Sequence, residues 1–121
     1  MFAAYVAVTI ATTVSNAFIA VADLARARFV LANMSEVGVP RSWLAPLGLL
    51  KAAGATGLLL GLLGVRPLGI AAAAGLVVFF TGAVITHVRA RVLHNIAYPG
   101  AFLALAVASL ALASAVAGEG R

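Results

Sequence analysis

Leu44 to Gly64 reads LAPLGLLKAAGATGLLLGLLG, a stretch long and apolar enough to cross a bilayer, with a lysine inside it. A hydrocarbon core roughly 30 Å thick needs about 20 such residues in a helix. Lys51 is the residue that requires explanation. An ionisable group at membrane depth costs about 3 kcal/mol on insertion scales, so it faces a protein interior, reaches an interface or finds a partner. The glycines mark where neighbours approach. At about 100° per residue, Gly54, Gly57, Gly61 and Gly64 fall within an arc of roughly 80°, and Gly57 with Gly61 forms a GxxxG pair. That arc predicts a close-packing seam, suited to another helix, to a second copy of the chain or to a membrane protein partner. Lys51 lies at its edge, about 60° from Gly54, which turns the stem toward protein more than toward lipid.

Composition agrees with a membrane chain. Of 121 residues, 64% are hydrophobic and only 9% charged, against about 25% charged in soluble domains; the mean hydropathy is +1.17. The length suits one transmembrane domain of four spans, with no extramembrane module large enough for its own core. A net charge of +5 does not indicate nucleic acid, because the basic residues sit in short connections between apolar runs. There is no cysteine, which excludes thiol, disulfide and iron–sulfur chemistry by this chain's own residues.

The first predicted span covers about 2–24 and lacks the basic leader of a secretory signal, so it reads as retained. Asn16, Thr12 and Thr9 lie within about 40° of Asp23 on a helical wheel, forming a polar stripe. The stripe is either interhelical glue or the wall of a polar pocket. Asp23 itself is either an interfacial carboxylate paired with Arg26 or the backbone, or a member of a buried cluster. In the connection that follows, Phe29, Val30, Met34 and Val37 recur at roughly helical spacing with Arg28, Asn33 and Glu36 between them, predicting a short interfacial helix ended by Gly38 and Pro40. Ser42 and Pro46 mark the second span at 44–64, with Trp43 as an interfacial anchor. Arg66-Pro67 opens a third at 68–88, and Asn95 with Pro99 a fourth at 97–117. The fourth offers small residues and two serines and reads as packing surface. Short connections make an all-α, up-down antiparallel four-helix bundle.

Arg26, Arg28, Arg41, Arg89 and Arg91 lie in the connections after the first and third spans, against Arg66 and Arg121 on the other side. The positive-inside rule makes the first side cytoplasmic and puts both termini outside. The same topology brings Asp23, Lys51 and His87 to one depth on three helices. Each has a plainer reading: Lys51 snorkels to headgroup phosphates, and His87, sharing a face with Arg91 and His94 if the helix continues, forms a basic helix end. His87 and His94 would then stand about 10 Å apart, too far to bind one metal ion together. No motif supports haem.

Gly38-Val39-Pro40, Leu47-Gly48, Lys51, Gly54, Gly57, Arg66-Pro67-Leu68-Gly69 and Thr86-His87-Val88-Arg89 together resemble the DoxX-like family of small bacterial four-helix membrane proteins. The likeness covers roughly residues 23–91. It implies a four-helix bundle in the bacterial inner membrane, and it links related proteins to quinone-coupled thiosulfate oxidation and oxidative-stress complexes. The absence of cysteine argues against direct thiol redox chemistry in this member.

Three functions follow as expectations. The first is a cofactor-independent acid/base enzyme of epoxide-opening, isomerase or hydrolase type on a small lipophilic substrate. In it Asp23 is base or nucleophile, His87 a proton shuttle and Lys51 an acid or electrostatic stabiliser, with Asn16, Thr12 and Phe80 contacting substrate. The second is a quinone-binding or accessory subunit of a membrane redox complex, which needs a partner because the chain holds no electron-transfer motif. The third is a structural scaffold that oligomerises through the glycine face. A plain Asp23–Lys51 ion pair would also offset the cost of the buried charges without any catalysis.

Overall fold

In the computed structural model, which describes residues 1–119, the elements are α1 (Phe2–Leu24), α2 (Arg28–Val37), a 3-10 turn at Arg41–Trp43, α3 (Leu44–Leu62), α4 (Arg66–Arg89) and α5 (Ala97–Glu119). Arg121, which entered the charge distribution, lies outside the described residues. Four helices, all except α2, are long and apolar enough to cross a membrane. Their ends fall close to the predicted spans because the punctuation is local. Pro46, Pro67 and Pro99 each occupy the first turn of α3, α4 or α5, where a missing N–H costs no intrahelical bond.

Helix α1 keeps its polar groups on the inward face. Along α1 the buried residues Tyr5, Thr9, Thr12, Asn16, Ile19 and Asp23 recur every three or four positions, while Val14 and Phe18 are more than 60% exposed. The polar stripe therefore faces protein, in company with Tyr5 and Ile19, while Val14 and Phe18 face outward as a lipid solvent allows. Both α1 and α4 pack along α3 and along α5, so the helices follow the cyclic order α1, α3, α4, α5. Between α1 and α5, Thr12 Oγ1 and Ser109 Oγ share a buried hydrogen bond of 2.7 Å, and Thr12 also reaches its own helix at Val8 O. The serine-bearing α5 is thus more than packing surface. Replacing Thr12 with valine is expected to lower stability by about 0.6 kcal/mol and by no more than about 1.7 kcal/mol, the span measured for such bonds in membranes. The shift of the SDS or thermal unfolding midpoint measures it; an unmoved midpoint would mean that Ser109 is satisfied elsewhere.

The glycine seam is occupied by α4 of the same chain. A Cβ on Gly61 would stand 2.5 Å from Gly69 Cα, one on Gly57 2.6 Å from Ala72 Cβ, and one on Gly54 2.6 Å from Leu76 Cδ2. These three residues are covered within the chain rather than presented to a second copy or another protein. Gly64 is not part of the seam; it forms the α3–α4 turn at φ +132°, with open space around it. The facing pairs grow steadily along the seam, from glycine on glycine through glycine on alanine and glycine on leucine to Lys51 beneath the Phe79 ring. A pair of helices packed on such a ladder is a wedge, closed at the Gly61–Gly69 end and open at the Lys51 end.

The predicted interfacial helix exists as α2, ended by Gly38 in the left-handed conformation with Val39 N–H bonded to Met34 O, the Schellman arrangement. It does more than lie along an interface. Val30 and Met34 bury against Ile19, Ala22 and Leu44, so α2 caps the open end of the wedge. The helical continuation that would align His87, Arg91 and His94 is absent: α4 ends at Arg89, and Arg91 turns left-handed at φ +59°. His94 lies instead on the surface, with Nε2 3.1 Å from Glu36 of α2.

Candidate functional site

Under the α2 cap, at the Lys51–Phe79 end of the α3–α4 seam, lies a cavity of about 540 Å³, within the range of small-molecule sites. Its wall is mostly apolar, with Asp23, Asn33, Trp43, Lys51, Thr86, His87, Asn95 and Tyr98 as the lining groups bearing side-chain nitrogen or oxygen. The three titratable residues that topology placed in one layer therefore share one chamber.

Lys51 Nζ donates to Asp23 Oδ2 at 2.7 Å, with the two residues 8% and 2% exposed. Neither snorkelling to a headgroup nor an Asp23–Arg26 pair describes the geometry. Arg26 meets Asp23 only through its backbone N–H, which donates to Asp23 O. The approach depends on Gly48, whose hypothetical Cβ would lie 3.0 Å from Asp23 Cβ. Any side chain at 48 would hold α1 away from α3 just where the carboxylate must reach the ammonium. The pair is neutral as a unit, which is how two charges persist at this depth. It is also unsaturated. Lys51 has three N–H donors and uses one on Asp23, its ammonium lying 5.3 Å from the centre of the Phe79 ring, while that bond falls on Asp23 Oδ2 and leaves Oδ1 outside the bridge.

On α4, His87 Nδ1 lies 2.9 Å from Ala83 O, one helical turn back, and Nε2 lies 3.1 Å from Asn33 Oδ1; Asn95 Nδ2 donates to the same oxygen at 2.8 Å. A carbonyl opposite Nδ1 requires a proton there. With a second proton on Nε2, the imidazolium donates to both Ala83 and Asn33. With Nε2 bare, both asparagine amides turn end for end: Asn33 donates to the ring and to Asn95, whose side-chain oxygen otherwise has no partner. Either orientation of the two amides pairs both ring nitrogens of His87 and leaves one side-chain atom of Asn95 unpaired.

Of the residues expected to touch substrate, Phe80 borders the cavity but is itself core, 1% exposed, with its ring 4.9 Å from Phe79 and 5.1 Å from Phe102. Thr12 and Asn16 are not among the residues around the cavity. They lie deeper in the bundle, where Thr12 bonds Ser109 and the Asn16 amide donates to Thr12 O. Asn33, Asn95, Gly48 and Tyr98 were not singled out from sequence as site residues. Only Asn33 carried a signal: it falls on the same face of α2 as Val30, Met34 and Val37, at spacings of three and four, and so points inward with them. Among the described residues no cluster of three or more His, Asp or Glu is placed to hold a metal ion.

Four apolar helices around a buried ion pair and a roofed, mostly apolar chamber define a multi-pass membrane protein built on a helix bundle. Within that class the chain belongs to the DoxX-like family, whose sequence model matches residues 7–109, a longer stretch than the motifs alone suggested. Neither a curated protein nor a solved structure shows a significant match to it.

Proposed function

We propose that the chain is a cofactor-independent acid/base enzyme acting on a small lipophilic molecule taken from the membrane, with epoxide opening as the reaction that best fits its groups. It would work in the bacterial inner membrane, with the α2 end of the bundle cytoplasmic and both termini outside. The observation that carries this reading is the Asp23–Lys51 pair, linked at 2.7 Å inside a 540 Å³ chamber, with spare acceptor and donor capacity on its two members. Asp23 Oδ1 takes a proton from a water molecule as the water oxygen attacks a ring carbon. The ring carbon–oxygen bond breaks, and the alkoxide takes a proton from Lys51 Nζ. The Asp23 carboxyl then turns to present the protonated oxygen to the lysine amine, the proton passes to Nζ, and both groups are restored with one water added to the substrate. His87, bonded in either protonation state, supplies or accepts a proton at Nε2.

The test is hydration of a long-chain terminal epoxide by protein in lipid nanodiscs, followed by mass spectrometry. Asp23→Asn is expected to lower turnover by about 10²–10⁴-fold, the usual worth of a general base, and His87→Gln by less. Undiminished turnover in Asp23→Asn would overturn the proposal, as would failure of the unaltered protein to hydrate the probe.

A second reading has its own support. Phe79 and Tyr98 line the same chamber as Lys51 and His87, so a flat conjugated head with two carbonyls, such as a quinone, would have ring faces to stack on and two candidate donors. A quinone that co-purifies with the protein and is lost on Lys51→Met would favour this reading and call for a redox partner.

A further inference from the structure

We infer that the ligand is a single-chain amphiphile whose small polar head lies in the chamber and whose hydrocarbon chain lies along the outer groove between α3 and α4. The inference rests on the reading of the chamber as a site for a lipophilic ligand and specifies the shape of that ligand.

A second concavity of about 520 Å³ runs along the α3–α4 face, bordered by Leu50, Ala53 and Gly57 of α3 and by Ala71 and Gly75 of α4. Val78 and Phe79 border both it and the chamber, so the two spaces adjoin across those residues. No charged or hydrogen-bonding side chain borders the groove, whereas the chamber end carries Lys51, more than nine-tenths buried, with two of its three donors unpaired. Taken together, the adjoining chamber and groove are polar at one end and apolar along the rest, the profile of a head and a tail. The groove extends from Phe79 to Leu68, roughly 16 Å at the helical rise, a length suited to a chain of about a dozen methylenes. It stops where Gly61 and Gly69 bring the two helix backbones together.

The floor explains why a chain fits there. Gly54, Gly57 and Ala72 keep α3 and α4 close while leaving no bulky side chain to fill the outer surface. Gly75 is exposed and has no atom within 4 Å of a hypothetical Cβ, so a side chain added at 75 enters the groove instead of the core. The aqueous end of the chamber is roofed by α2, leaving the α3–α4 side, where Val78 is 73% exposed, as the way in from the bilayer.

The experiment uses two photoreactive methyl ketones in nanodiscs, one with a diazirine beside the carbonyl and one with it at the end of a dodecyl chain, followed by peptide mapping. The head probe is expected to label α4 near Gly82 and α3 near Leu47. The tail probe is expected to label Ala53, Ala71 and their neighbours, and Gly75→Phe is expected to reduce that labelling at least tenfold while leaving head labelling unchanged. Tail labelling spread equally over outward residues such as Phe18 and Val107, or indifferent to Gly75→Phe, would overturn the groove while leaving the chamber intact. Absence of chamber labelling by the head probe would overturn the chamber reading itself. Gly75→Ala serves as the folding control, since it adds a side chain without filling the groove.

Discussion

Lys51→Met is expected to destabilise the protein by about 3–5 kcal/mol, while Asp23→Leu combined with Lys51→Met is expected to be nearly neutral. The asymmetry follows from where the charges sit. Removing the lysine leaves a carboxylate 2% exposed without its ammonium, and a buried charge stripped of its partner costs about that much. Removing both leaves an apolar pair of similar volume, which folds as well as the ion pair or better by about 1–4 kcal/mol in comparable cases. Unfolding midpoints in SDS or on heating read these differences. The double variant separates glue from chemistry. If the pair is there only to hold α1 to α3, restoring stability should restore whatever the protein does in the cell and its hold on the head probe. If the pair acts on a ligand, a fully stable double variant should bind and turn over nothing. A double variant as unstable as the single one would show that the hydrogen-bonding geometry around Gly48, and not charge compensation, holds these helices together.

The four spans were legible because lipid makes the signal local. Apolar runs of the right length, with Pro46, Pro67 and Pro99 at their starts, need no knowledge of tertiary partners. Antiparallel topology then carried the Asp23, Lys51 and His87 layer, since short connections fix which helix ends meet. What the reading missed depends on partners distant in sequence. Nothing about Gly48 distinguishes it from other glycines of α3 until Asp23 is seen 25 positions earlier in the chain, pressed against it. Gly64 matched the wheel of the seam yet belongs to a turn, because the helix ends at Leu62. Arg91 breaks the alignment of His87 and His94 by turning left-handed, which non-glycine residues seldom do and which no neighbouring residue announced. Thr12 and Asn16 were rightly placed on the inward stripe, but inward in a bundle of this length covers both its solid half and its hollow half. The wedge decides between them, and it is a property of α3–α4 pairs that the wheel of α1 does not contain.

That wedge makes Gly61 the position where a single methyl group should have the greatest effect. A Cβ there would stand 2.5 Å from Gly69 Cα and 2.9 Å from Gly69 N. These are backbone atoms, which have no rotamer to change, so α3 and α4 must separate. Overpacking of this kind costs about 1–3 kcal/mol where side chains can adjust, and the upper end or beyond is expected for Gly61→Ala, with Gly61→Leu preventing accumulation of folded protein. Gly82→Ala provides the contrast on α4. Its Cβ would have nothing within 4 Å, and the gain in helix propensity over glycine, about 1 kcal/mol, should leave stability unchanged or raised. Gly61→Ala should also reach the chamber. The two helices touch backbone to backbone at 61 and 69 on the same seam that carries Lys51 and Phe79, so parting them at that point alters how Phe79 sits over Lys51. Head-probe labelling should therefore fall in Gly61→Ala even in the fraction that remains folded. Equal stability for the two alanine variants would mean that the closed end of the wedge is looser than its geometry, and would remove the account of why the chamber opens where it does.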